Sequence, residues 1–138
     1  MVDKDFMKIK DQVDYLVSLI DSSMNNYERD GFENQKVYRR LEDFQGNLES
    51  LSEFIKYMNK EPIVGHLEMI EGGKYECPEA DVRFSCGSRM EAFVQTEYDE
   101  EPSWCSGRVE YQTDGGYYFL NYDGCNVFLY EGMKVRVR

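Results

Sequence analysis

The hydrophobic pattern of this chain changes period once, near Pro62, and that change constrains the fold more than any other feature. Before it, Phe6, Ile9, Val13, Leu16, Ile20 and Met24 recur every three or four residues. So do Val37, Leu41, Phe44, Leu48, Leu51, Phe54 and Met58. Each set makes an apolar stripe down one side of a helix. The segment NNYERDGFEN, residues 25–34, supplies Asn, Asp and Gly for a short connection. Two helices so joined fold back antiparallel as a hairpin. Pro62 disfavours helix at the residue before it and ends the second one. The same stripes also suit a helical seam for self-association, three to four heptads long.

After Pro62 the period is two. Met133, Val135 and Val137 alternate with Lys134, Arg136 and Arg138, while Val109 and Tyr111 alternate with Arg108 and Glu110. Tyr118, Leu120 and Tyr122 alternate with Phe119 and Asn121. These are strands with one buried face, separated by Gly-rich turns.

This half also repeats itself. Gly65-His66-Leu67-Glu68-Met69, followed by Gly72-Gly73 and Tyr75, parallels Gly107-Arg108-Val109-Glu110-Tyr111, followed by Gly115-Gly116 and Tyr118. Further on, VRFSCGSRMEAFV (82–94) lies over VFLYEGMKVRVR (127–138), with Gly87 on Gly132, Met90 on Val135 and Ala92 on Val137. A unit of about thirty residues thus occurs twice. Both Gly pairs then belong at hairpin bends needing positive φ. A phosphate cradle would want a helix after the glycines, and an aromatic strand follows instead. The expected fold is α+β: a helical hairpin over 1–61, then a small, internally duplicated SH3-like β-barrel of about six strands over 62–138.

Candidate chemistry is sparse. Cys77, Cys86, Cys105 and Cys125 all lie in the β half. Four thiolates converging from turns make a structural zinc site, with His66 as a replacement ligand, but no paired Cys-x-x-Cys knuckle is present. A disulfide and independent thiols are the other readings, and Cys77, aligned with Leu120 in the repeat, fits a buried strand position. His66 is the only histidine, so a Cys–His dyad would have to use it, yet its counterpart Arg108 marks a surface position. No nucleophile elbow, dinucleotide fingerprint, Walker loop or His-Glu-x-x-His motif occurs. An enzyme is not expected, although abundant carboxylates leave a glycosidase-like pair open.

Charge narrows the partners. Sixteen Lys and Arg against 27 Asp and Glu give −11, which disfavours direct nucleic-acid and anionic-membrane binding. No apolar run reaches the roughly 18 to 20 residues of a membrane span. MVDKDFMKIKDQVDY lacks a signal-peptide core, so a cytoplasmic location is expected. In EYDEEPSW, Glu97, Asp99, Glu100 and Glu101 crowd a loop that ends in Trp104, the only Trp. Acid beside an aromatic anchor suits a basic protein groove. The bland reading is a solvated loop with Trp104 packed in the barrel mouth.

On CGSRMEAFV, GRVEYQ, GGYYF and LYEGMKVRVR, the C-terminal half resembles a family of uncharacterised small bacterial mobile-element proteins. That resemblance implies no activity. In size, acidity and plan the chain is similar in type to phage-encoded inhibitors of CRISPR-associated nucleases, without a shared motif. The expectation is a non-enzymatic, anti-CRISPR-type inhibitor that occupies the nucleic-acid-binding surface of a basic protein. The alternative is an assembly module that self-associates through its helices as a homodimer, with or without structural zinc.

Overall fold

The computed structural model describes residues 1–27 and 31–138. Part of the expected 25–34 connection, residues 28–30, lies outside the described residues. The chain divides into two compact units, Met1–Glu61 and Pro62–Arg138.

The first unit is a hairpin of α1 (Lys4–Asn25) and α2 (Phe32–Met58). Asp3 caps α1, its carboxylate accepting from Asp5 N at 2.8 Å. The helices are antiparallel: Asp21 meets Gln45, Asp14 accepts from the Ser52 hydroxyl, and Val2 N donates to Asn59. Their contact face differs from the expected stripes. Val13 and Ile20 are buried, and Tyr38, Leu41, Leu48 and Ile55 are half-buried. Phe6, Ile9, Leu16, Val37, Phe44, Leu51 and Phe54 are exposed. Polar side chains take the inner places these leave. Lys10 donates to Asp14 at 2.6 Å, and the hydrogen bonds from Lys10 and Ser52 lower the Asp14 pKa.

The second unit holds nine strands: β1 (Ile63–His66), β2 (Glu68–Met69), β3 (Tyr75–Cys77), β4 (Val82–Arg83), β5 (Arg89–Val94), β6 (Ser103–Gln112), β7 (Gly116–Asn121), β8 (Val127–Phe128) and β9 (Lys134–Val137). Six form an antiparallel sheet in the order β1-β9-β5-β6-β7-β8, and β2-β3-β4 form a second sheet. The hydrogen-bonded order of the large sheet runs from β1 at one end to β8 at the other. The chain leaves the large sheet at Leu67, which separates β1 from β2 and starts the smaller sheet.

The duplication is visible in the strands. β2 and β3 form a hairpin around Gly72 and Gly73, as β6 and β7 do around Gly115 and Gly116, and all four glycines have positive φ. Gly87 (φ 87°) leads into β5 as Gly132 (φ 82°) leads into β9. β5 and β9 pair with Glu91 opposite Arg136 and Ala92 opposite Val135. One core serves both copies: Leu67, Met90, Val109, Phe119, Met133 and Val135 are fully buried, with Tyr75, Cys77 and Cys105 among them. The Tyr75 hydroxyl donates to Leu129 O at 3.0 Å, and burial raises its pKa.

Candidate functional site

Because side chains alternate across a strand, the residues of β5, β6 and β9 that leave the core share one outer face. These are Arg89, Glu91 and Phe93; Trp104, Ser106, Arg108 and Glu110; and Lys134, Arg136 and Arg138. Register aligns them in rows: Phe93 faces Trp104, Glu91 lies between Ser106 and Arg136, and Arg89 faces Arg108. At the centre, Glu91 is 3% exposed. Arg136 Nη2 donates to its Oε1 at 2.9 Å, and Arg138 Nε donates to its Oε2 at 2.7 Å. Burial pushes the Glu91 carboxyl up, but the two guanidiniums outweigh it and the pKa ends below its ordinary value. Beside this pair, Phe93 and Trp104 lie with ring centroids 5.2 Å apart. The Arg136 guanidinium stacks 4.4 Å over Trp104, and Lys134 Nζ is 4.9 Å over Phe93.

Trp104 is the second residue of β6, directly after the acidic loop, and is flanked by the cations Lys134 and Arg136. Glu97, Asp99, Glu100 and Glu101 remain exposed on the β5–β6 connection. That loop is held by its own hydrogen bonds: Thr96 Oγ1 donates to Asp99 Oδ2 at 2.6 Å, and Gln95 Nε2 donates to Asp99 O and Glu100 O.

The four cysteines do not converge. Cys77 and Cys105 are buried core residues and Cys86 and Cys125 are exposed, all as free thiols. Cys105 lies within β6 at an inward position. Among the described residues no His, Cys, Asp or Glu cluster could hold a metal, so the proposed ligand set does not fit zinc. His66, read from the repeat as a surface residue, is exposed, and Glu79 lies between it and Cys77. The Cys77 thiol donates to Glu79 Oε2 at 3.4 Å, and His66 Nδ1 lies 3.7 Å from Glu79 Oε1. Burial raises the Cys77 pKa, and the carboxylate beside it adds to that, so this thiol is a poor nucleophile. The Glu79 carboxylate also accepts from His66 N at 3.2 Å, covering a backbone donor on the edge strand β1.

On the hairpin, the exposed apolar positions precede inner ones by one residue on both helices: Ile9 before Lys10, Leu16 before Val17, Val37 before Tyr38, Phe44 before Gln45 and Leu51 before Ser52. An equal rotational offset on antiparallel helices points both flanks to the same side. The apolar flanks of both helices therefore face one side of the hairpin, and on α2 a groove of about 530 Å³ is lined by Val37, Leu41 and Phe44 together with Lys36, Arg40, Asp43 and Asn47.

Residues 70–137 match DUF5348, a domain of unknown function. The match covers most of the β unit and leaves out the hairpin, β1 and β2. Within it, Arg89, Glu91, Phe93, Trp104, Lys134 and Arg136 build the outer face just described. The match carries neither an activity nor a link to mobile elements or CRISPR systems. No curated protein and no solved structure matches the chain at a significant level.

Sequence reasoning passed over Glu91, Arg136 and Arg138. One signal was available. The repeat that sets Met90 on Val135 also sets Glu91 on Arg136, so equivalent positions carry opposite charges.

Proposed function

We propose that this chain is a non-enzymatic protein-binding module that assembles through its helical hairpin, with a second copy as the partner. One observation carries the reading: the side chains patterned as a helical seam are only half used within the hairpin. Val37 is 57% exposed, Phe44 50% and Leu51 42%, whereas Leu41, Leu48 and Ile55 turn inward. Two such faces packed together make a four-helix bundle with its seam filled from both sides. Each large apolar side chain on the face has about 1 kcal/mol still to gain from burial. Seven per copy give on the order of 14 kcal/mol gross, against about 4–15 kcal/mol for association. At most about 10 kcal/mol remains, so the dimer dissociates on dilution within roughly the 0.1 to 100 micromolar range. Sedimentation of the full chain across that range tests it. Phe44→Asp with Leu51→Asp should leave a folded monomer, and a wild-type chain that stays monomeric at high concentration overturns the reading.

A second reading, inhibition of a basic nucleic-acid-binding protein such as a CRISPR nuclease, is favoured by the acidic loop. Its carboxylates are displayed on a turn pinned by Gln95 and Thr96. It requires a complex that weakens with salt and is lost when Glu97, Glu100 and Glu101 become Gln. A complex unaffected by those substitutions would rule the loop out as its contact.

A further inference from the structure

The large sheet ends in β1 on one side and β8 on the other, and only the first of these edges is guarded. Leu67 N donates to Met133 O, so the odd-numbered residues here bond to β9 and the even-numbered ones turn their N–H and C=O groups outward. Pro62 brings no N–H to that edge, and the Glu79 carboxylate takes the His66 N–H. The short helical turn Pro78–Ala80 lies against the strand as well. At the other edge, Leu129 N donates to Tyr117 O and Val127 pairs with Phe119. Phe128, between them, therefore turns its N–H and C=O away from β7, with Asn126 and Tyr130 next in the same phase. β8 pairs with β7 alone, and no backbone bond to Phe128 N or O occurs among the described residues. Neither proline nor lysine interrupts residues 126–130. The edge is apolar instead: Phe128 and Tyr130 are exposed, while Val127 and Leu129 border the core.

The charges around this edge select the strand it suits. Between Arg108 and Lys134 the chain has no Lys or Arg and four acids, Glu110, Asp114, Asp123 and Glu131. Arg108 neutralises Glu110 at 2.7 Å. Asp123 and Glu131 accept from the backbone N–H groups of Ser106 and Met69, which leaves their charge uncompensated. The three remaining carboxylates bracket the edge. Asp123 lies in the β7–β8 connection, Glu131 follows Tyr130, and Asp114 precedes Gly115, where a Cβ would run into the Phe128 ring. A second copy would bring the same three carboxylates and be repelled. We propose that the β8 edge, centred on Phe128, takes up an extended basic peptide segment of another protein as an added strand. The Phe128 N–H and C=O bond its backbone, Val127 and Leu129 pack beside its apolar side chains, and Asp114, Asp123 and Glu131 meet its Lys and Arg. This edge belongs to the β unit, and the proposal does not depend on assembly through the hairpin.

The probe is a blocked, fluorescein-labelled peptide of alternating Lys and Val, about seven residues long to match an ordinary strand. The full chain is titrated into it at low salt and binding is read by anisotropy, with amide hydrogen exchange of the chain followed in parallel. Saturable binding is expected. The Phe128 amide, open in the free chain, should exchange about tenfold or more slowly in the complex, while Val127, already in the ladder, changes little. A peptide with proline at each valine keeps the charge but cannot pair as a strand, and should bind about tenfold or more weakly. Asp114→Lys, at an exposed turn, should weaken binding about fivefold without moving the thermal transition. Four results overturn the proposal. They are no binding at chain concentrations up to about 1 mM, binding that leaves Phe128 exchange unchanged, equal binding of the proline peptide or of a Glu-Val peptide of the same length, and Phe128 protection in the free chain that grows with its concentration. The last would make a second copy the occupant.

Discussion

Replacing Glu91 by Gln tests whether the buried ion cluster organises the β unit. The carboxylate is 3% exposed, and the side chains of Arg138 and Arg136 are 8% and 21% exposed. Gln keeps the shape but offers one acceptor oxygen in place of two, and its amide N–H groups face guanidinium N–H groups. Removing one partner of a buried pair costs about 3–5 kcal/mol. Arg136 is near enough to water to recover part of that, so a loss of about 3 kcal/mol is expected. A unit of this size has a total stability of roughly 4–12 kcal/mol, and each kcal/mol moves its midpoint by about 4–8 °C. The expected drop in midpoint is therefore on the order of 12–24 °C. Urea unfolding followed by Trp104 emission reads this unit alone. The pH dependence supplies a second readout. The folded-state pKa of Glu91 is depressed, so its contribution is fully present above the unfolded value, about 4.3, and is lost as pH falls through the folded one. Acidification from pH 6 to 3 should erode the wild type and narrow the gap to Glu91→Gln. A loss below about 1 kcal/mol, or a gap that does not narrow on acidification, would refute the reasoning.

Two further outcomes follow from packing. Gly107→Ala should destabilise the β unit by about 3 kcal/mol or more, because a Cβ there collides with Leu120 O and the Phe119 ring; an unchanged urea midpoint would show that β6 and β7 can separate. Maleimide should modify Cys86 and Cys125 in the native protein and reach Cys77 and Cys105 only in denaturant; native labelling of all four, read by mass spectrometry, would contradict the burial of the latter two.

Periodicity made both halves legible, and the glycine pairs made the duplication legible, because only glycine adopts positive φ at no steric cost in such turns. Other features were hidden for identifiable reasons. Gly107 removes a side chain from the inner row of β6, so SWCSGRVEYQ does not read as one ten-residue strand, and EYDEEPSW reads as a loop that ends in Trp104. The helix stripes were correctly seen as apolar but are wider than the contact that uses them. A period near 3.5 cannot say which flank of a stripe meets its neighbour when Lys10, Asp14, Gln45 and Ser52 can satisfy one another on the inner face. The Glu91 cluster joins residues 45 and 47 positions apart, and only the repeat links them.

That repeat also says why the outer face is where the copies part. β5 and β9 run antiparallel beside each other, and Glu91 pairs with Arg136, its own equivalent in the other copy. A pair of equivalent residues facing one another lies on the approximate two-fold axis that relates the copies. Had both copies kept the same residue there, two like charges would meet in a buried place, which burial penalises heavily. Glu in one copy and Arg in the other resolves the conflict, and the neighbouring equivalents have diverged in step: Phe93 against Arg138, Trp104 against Pro62. Arg89 and Lys134 have kept their sign. The inner faces remain interchangeable, Met90 and Ala92 answering Val135 and Val137, because one shared core requires the same small apolar volumes from each. The outer faces therefore begin to differ for a reason of folding, the pairing of Glu91 with Arg136 on the axis, and the inner strands differ too where buried Cys105 answers exposed Ile63.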